Sequence, residues 1–344
     1  MRALQIVEPG RIEVRDAPVP DIGPGEVLVK VAGAGVCHSD LHLLDLPEWP
    51  LLNMTLGHET AGHVAATGPG VTGFSEGDAV LVGFVWSCGT CRACIEGRDN
   101  VCVAAGRLSM PPAPGINSDG GMAEYIKTDA RHLYPLGGLD PTNVAPLADA
   151  ALTPMHAVNG ARHRLTPGGT AVVIGVGGLG HMGVQILKAT SGVRIIAVDI
   201  NASKLDHARN LGADEVLLSG QTAARQILDL TGGYGADAVF DFVGSQSSVD
   251  LATGVVAPDG ALRFVGIAGG GFTYTAAPWP TTVPFGVSVR SSYAGTRVDQ
   301  YQVLELARLG MISVETTTYP LERAVEAFDD LRSGVITGRA VLVP

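Results

Sequence analysis

The sequence predicts an α/β protein: a doubly wound parallel sheet in the second half, preceded by a mainly β domain. From Thr170 onward, short apolar runs alternate with helical runs, and strands separated by helices build parallel sheets. Before about residue 140, turns rich in Gly and Pro separate the apolar runs, as in an irregular antiparallel domain. The chain of 344 residues is long enough for about two domains. Hydrophobic residues make up 46% and charged residues 17%, which excludes a disordered chain or a coiled coil. The 46 glycines follow no Gly-X-Y period and point to tight turns and close backbone approaches. A net charge of −11 without a basic block argues against nucleic acid or an anionic membrane as partner.

Taken in order, the N-terminal MRALQIVEPGR lacks the apolar core of a signal peptide, so the cytoplasm is the expected location. Glu26 to Ala32 alternates like a strand, which Gly33 and Gly35 are expected to break. His38, Ser39, Asp40 and His42 open a helix, with Ser39 or Asp40 as N-cap. Asp149, in PLADAALTP, stands where it could cap a helix running to about Arg162. Thr170–Ile174 reads as a strand and Arg194–Val198 as a second. Asp214–Leu218, Ala236–Phe242, Ala261–Ile267 and Val287–Ser292 follow. Helical runs lie at Ala202–Leu211, Thr222–Leu230 and Ser247–Val255. The apolar stretch Thr170 to Leu187 is interrupted by five glycines and a histidine, so it is a strand plus a helix and not a membrane span. From about Thr296 the tail holds two helices and the strand GRAVLV, which is expected to return to the first domain. The expected division is 1–151, 152–295 and 296–344, the last rejoining the first.

Four of the five cysteines, Cys88, Cys91, Cys94 and Cys102, fall in one C-x2-C-x2-C-x7-C window. Four thiolates so spaced can surround one structural zinc. Disulfides and an iron–sulfur cluster are the competing uses. Cys37 stands alone. Taken singly, Cys37, His58 and Asp149 have ordinary explanations as core or capping residues, and spacing does not show that they meet.

Thr170–Ile174 enters Gly175-Val176-Gly177-Gly178-Leu179-Gly180, followed by a helix, a strand and Asp199. In such a G-x-G-x-x-G turn, Gly175 permits the bend and Gly177 lets the backbone approach a pyrophosphate. Gly180 allows close helix packing, and the helix N-terminus offers free N–H groups. Asp199 would accept from both adenine-ribose hydroxyls and repel a 2′-phosphate, which favours NAD over NADP. Lys204 is placed to reach the same ribose.

Together CHSDLH, GHE, the four-cysteine lobe, GVGGLG with its aspartate and GRAVLV resemble the zinc-dependent medium-chain alcohol dehydrogenases, in the branch of bacterial secondary-alcohol dehydrogenases and carbonyl reductases. The resemblance implies a GroES-like catalytic domain, a Rossmann domain, NAD(H) and two zinc ions per chain. It makes Cys37, His58 and Asp149 ligands of the catalytic zinc, with Glu59 behind the metal and Asp40 fixing the tautomer of His58. Asp149 replaces the cysteine of better-known members, leaving a harder ligand set. Ser39 and His42 are implied as a proton relay. His38 and Arg339 are implied at the pyrophosphate, with Val243 and Ile267 also at the cofactor. Trp49, Trp86, Ile116, Ile267, Tyr293 and Ala294 are implied in the substrate pocket, Ala294 making it roomier. The implied reaction interconverts alcohols, mainly secondary, with ketones or aldehydes by hydride transfer. Polyol or primary-alcohol oxidation is the alternative on the same scaffold, and a binding protein without turnover is the alternative of another class. A homotetramer is expected, a homodimer second.

Overall fold

The computed structural model describes residues 1–47, 52–275 and 281–344. The chain forms two compact units, Met1–Leu152 with Ala294–Pro344, and Thr153–Tyr293.

The first unit opens with an antiparallel hairpin, β1 (Arg2–Glu8) and β2 (Arg11–Asp16). Then come β3 (Glu26–Val36), α1 (His38–Leu44), β4 (Glu59–Thr67) and β5 (Ala79–Val82). The short helix α2 (Arg92–Ile95), β6 (Tyr125–Asp129), β7 (Leu133–Pro135) and α3 (Pro141–Val144) follow. Gly33 and Gly35 do not end β3, which runs on to Val36. They serve close approach. A Cβ on Gly33 would lie 2.9 Å from the carbonyl oxygen of Thr142, and one on Gly35 would lie 2.0 Å from Glu59 Oε2. Nor do Ser39 or Asp40 cap α1. Cys37 is the N-cap, and Asp40, three residues on, accepts a 2.8 Å hydrogen bond from the Cys37 N–H.

In the second unit, α4 (Leu152–Gly160, its first residue still in the first unit) leads to β8 (Thr170–Ile174), α5 (Gly180–Thr190), β9 (Arg194–Asp199) and α6 (Ala202–Asn210). Next are β10 (Glu215–Leu218), α7 (Ala223–Leu230), β11 (Ala236–Asp241), α8 (Gln246–Val255), β12 (Val256–Phe264) and β13 (Ser288–Ser291). All six strands are parallel, in the order β10-β9-β8-β11-β12-β13. The order reverses between β8 and β11, a doubly wound arrangement whose ligand crevice lies beyond the strand carboxyl ends. β8 and β9 are buried from their second residue onward, as strands covered on both faces must be. β12 begins five residues before the expected Ala261.

The tail adds α9 (Arg297–Arg308), β14 (Thr316–Pro320), α10 (Ala324–Ser333) and β15 (Arg339–Val343). β15 pairs antiparallel with β3 and parallel with β14, which sequence reading missed. The resulting sheet runs β14-β15-β3-β4-β5-β7, with β6 also on β3. Its core joins Val27, Val29 and Val36 to Phe328, Leu331 and Leu342, so residues some 300 apart share one apolar interior. Among the described residues no helix is long and apolar enough to cross a membrane.

A capping box starts α9. Thr296 Oγ1 accepts from the Asp299 N–H, and Asp299 Oδ2 accepts from the Thr296 N–H at 2.8 Å. Thr296→Ala is expected to cost about 1–2 kcal/mol, read by calorimetry as a lower unfolding temperature for the first unit.

Candidate active site and metal centres

Four elements of the first unit converge on one buried point. Cys37 sits at the β3–α1 junction, His58 and Glu59 at the entry to β4, Asp149 before α4, and Arg339 at the start of β15. Gly57 holds φ of +102°, and a Cβ there would lie 2.6 Å from Met122, so glycine sets the approach to His58. His58 Nε2 lies 3.6 Å from Asp149 Oδ2, and Cys37 Sγ lies 3.9 Å from the same oxygen. One ligand atom from each of Cys37, His58, Glu59 and Asp149 falls within 4.8 Å of the others, and all four residues are buried.

These separations suit a metal. Bonds of about 2.0–2.3 Å to tetrahedral zinc place ligand atoms about 3.3–3.8 Å apart. Neither ring nitrogen of His58 makes a hydrogen bond, leaving Nε2 available to a cation. On the other side Nδ1 is 3.3 Å from Asp40 Oδ1, an orienting carboxylate of the kind metal-binding histidines use. Asp40 is itself fully buried and tied to the Cys37 N–H. Burial works against charging His58, but the charge of Asp40 and the nearby carboxylate of Asp149 hold it well above its ordinary value. A dication would meet the same need in place of the proton.

Arg339 was expected at a pyrophosphate. It is 1% exposed and directed at Glu59, with Nε 3.0 Å from Oε2 and Nη2 2.5 Å from Oε1. Nη2 also stands 3.9 Å from Asp149. Burial would lower its pKa, yet the negative charges of Cys37 and Glu59 hold it above the ordinary value. Glu59 takes a further hydrogen bond from the Ala150 N–H at 3.1 Å. Sequence reading missed this pair, because 280 residues separate its members.

The four clustered cysteines are free thiols. Their sulfurs lie 3.5 Å (Cys91–Cys94) and 3.9 Å (Cys88–Cys94, Cys91–Cys102) apart. A disulfide requires about 2.05 Å, and thiolates on several irons would stand farther apart. The spacing fits one tetrahedral zinc. The N–H groups of Thr90 and Cys91 pull the Cys88 thiol down to about 6, while burial pushes Cys94 up to about 12. Near the lobe, Arg92 and Arg98 pair with Glu96. The lobe also reaches α9, where Asp99 accepts from the Arg297 N–H at 3.2 Å.

The second unit carries the nucleotide signature at the strand carboxyl ends. Gly175 has φ of +86°, and a Cβ on it would lie 2.5 Å from Val243 Cγ2. On Gly180 a Cβ would strike the Gly175 carbonyl oxygen at 1.8 Å. Beside Gly177 there is nothing within 4 Å, an open approach to backbone N–H groups that suits a pyrophosphate. Gly178 and Leu179 are half-buried, and Leu179 is the N-cap of α5. Asp199 accepts from the Val176 N–H at 2.7 Å and the Asn201 N–H at 2.9 Å. These bonds tie the acid at the end of β9 to the glycine turn. Lys204 is half-buried, while Val243 and Ile267 are exposed.

Ser39 Oγ lies 3.6 Å from Cys37 Sγ, and His38 and His42 are exposed on α1. Of the expected pocket residues, Trp86 is half-buried. It stacks on His132 with centroids 6.0 Å apart and lines an 820 Å³ cavity with Met1, Gln5 and Ile126. The ring beside His58 is Phe84, edge-on at 5.3 Å, which sequence reading passed over. Ile116 is half-buried in a loop of the first unit and Tyr293 half-buried at the end of the second. Ala294 is 4% exposed with φ of +45°. Trp49 lies outside the described residues.

Comparison with known proteins gives a consistent answer. The alcohol dehydrogenase GroES-like domain matches residues 23–138, and the zinc-binding dehydrogenase domain matches residues 178–308. An NAD-dependent alcohol dehydrogenase of Sulfurisphaera tokodaii is 37% identical, the alignment covering 100% of both chains. An alcohol dehydrogenase of Geobacillus stearothermophilus is 35% identical over 96% of this chain and 95% of its own. Among solved structures, the alcohol dehydrogenase of Aeropyrum pernix matches with TM-score 0.91 and 35% identity, covering 100% of both chains. Acetophenone reductase from Geotrichum candidum, solved with NAD, matches with TM-score 0.87 and 32% identity over 99% of this chain and 96% of its own. By two domain matches and by relatives aligned from end to end, the chain belongs to the zinc-dependent medium-chain alcohol dehydrogenases.

Proposed function

We propose that this protein is an NAD(H)-dependent zinc alcohol dehydrogenase that interconverts secondary alcohols and ketones. The observation that carries the reading is the buried set Cys37, His58 and Asp149 at metal-ligand spacing, in a chain whose other unit bears the glycine turn and its acid. Secondary substrates are favoured by the likeness to an acetophenone reductase, which also supports carbonyl reduction as the reverse direction. Two zinc ions per chain, a homotetramer and a cytoplasmic location belong to the same reading.

Cys37, His58 and Asp149 would hold the catalytic zinc, which when bound supplies a Lewis acid to polarise an alcohol or carbonyl oxygen. The glycine turn and Asp199 would hold the dinucleotide, whose chemistry would be that of a hydride acceptor for alcohol oxidation. The protein's own contribution is orientation, water exclusion and proton handling. Asp40 fixes the ring of His58 from behind. Arg339 neutralises Glu59 and keeps it beside the ligands. Phe84 supplies an apolar wall next to His58. Ser39 takes the hydroxyl proton and His42, exposed on the same helix, releases it to water. In the second unit, Asp199 selects a ribose free of a 2′-phosphate.

Three measurements test this. Metal analysis of the purified chain is expected to find about two zinc ions; one alone would leave only the four-cysteine lobe occupied. Cys37→Ser is expected to lose one zinc and nearly all turnover while NADH binding, followed by calorimetry, persists. Asp199→Gly is expected to weaken NAD+ and improve NADP+, each by about tenfold or more. An unchanged ratio of kcat/KM for the two cofactors would remove Asp199 from the ribose.

A further inference from the structure

Asp241 ends β11 at the point where strand order reverses, and it is 1% exposed. Three neutral donors meet its carboxylate. Oδ1 accepts from the N–H groups of Val243 and Gly244, both at 2.9 Å. Oδ2 accepts from Ser248 Oγ at 2.9 Å, in the first turn of α8, where the helix dipole favours negative charge. A single side chain therefore bonds to three points of the segment that leads from β11 into α8.

That connection has no slack. The Phe242 N–H donates to the Ile174 carbonyl at 2.9 Å, tying it to the end of β8. Gly244 has φ of +72°, and a Cβ there would stand 2.2 Å from the Gly266 carbonyl oxygen. A Cβ on Gly266 would stand 2.1 Å from the Val243 carbonyl carbon. The loops after β11 and β12 thus interlock through glycines. Their exposed products are Val243 and Ile267, 37% and 64% exposed. Val243 Cγ2 occupies the space that a side chain on Gly175 would need, so it abuts the first glycine of the nucleotide turn.

We propose that Asp241 is a positioning residue for the dinucleotide: its hydrogen bonds to Val243, Gly244 and Ser248 set the β11–α8 loop against the Gly175 turn and so shape the cofactor-facing rim. This rests on the reading of the second unit as an NAD(H) site. Removal of the carboxylate frees the buried Gly244 N–H and the part-buried Val243 N–H and lets the rim shift, without touching the metal ligands of the first unit.

The test is calorimetric titration of NADH into the zinc-loaded protein, with steady-state kinetics beside it. Asp241→Ala is expected to weaken NADH by about tenfold or more and to raise KM for NAD+, leaving KM for the alcohol and the zinc content unchanged. Asp241→Asn keeps one oxygen for the two N–H groups and is expected to restore most of the affinity. Ser248→Ala, which removes one of the three bonds, is expected to cost about threefold and keeps the test open should Asp241→Ala not fold. A folded Asp241→Ala protein that binds NADH within twofold of the parent overturns the proposal. So does Ser248→Ala with unchanged affinity, or a rise confined to KM for the alcohol. Should the parent itself fail to bind NADH, the functional reading falls and not this inference alone.

Discussion

Cys37, His58, Glu59 and Asp149 are closed off from water with their ligand atoms within 4.8 Å of one another. Three of these groups carry negative charge when ionised, and buried charge is costly unless it is paired. Arg339 supplies one positive charge through Glu59. Asp40 turns a carboxylate to His58 and adds to the negative balance. A zinc dication held by Cys37, His58 and Asp149 would offset much of the remaining negative charge. Much of the first unit serves this requirement. β3, β4 and β15 lie side by side, and their ends deliver the thiol, the imidazole with its neighbouring carboxylate, and the guanidinium.

Glycine makes these approaches geometrically available. Gly35 leaves room for Glu59, and Gly57 turns the chain into His58 with a backbone angle that a side chain would strain. In the second unit, Gly175 and Gly180 pack the first turn of α5 onto β8, while Gly177 leaves the approach to the backbone open. At these positions glycine lets backbone pass close to backbone or to a side chain. The four-cysteine lobe solves a different problem. It is a short excursion with little apolar core of its own, and a tetrahedral metal would order it and so place Asp99 against the start of α9.

The parts of the protein legible in the sequence are those governed by local pattern. The alternation of apolar and helical runs marks the six parallel strands, since each strand is buried on both faces and each connecting helix on one. The nucleotide turn and its acid are legible because a strand, a turn and a helix fix their relation within about 25 residues. The four cysteines are legible for the same reason. β14 escaped notice because TTTYP is largely exposed and carries no apolar alternation. The N-cap at Cys37 escaped because a thiol is an uncommon cap, and Asp40 does the capping from the third position.

By itself the sequence determined the fold class, the zinc-type lobe and the dinucleotide signature, all written in neighbouring residues that interact within one turn or one βαβ unit. Only the tertiary structure decided that Cys37, His58 and Asp149 meet, that Arg339 turns to Glu59, and that Phe84 lies edge-on to His58. Contacts between residues 37, 58, 149 and 339 depend on strand register across a sheet. Moving one strand by a single residue would send its side chains to the other face, and no local periodicity records that choice.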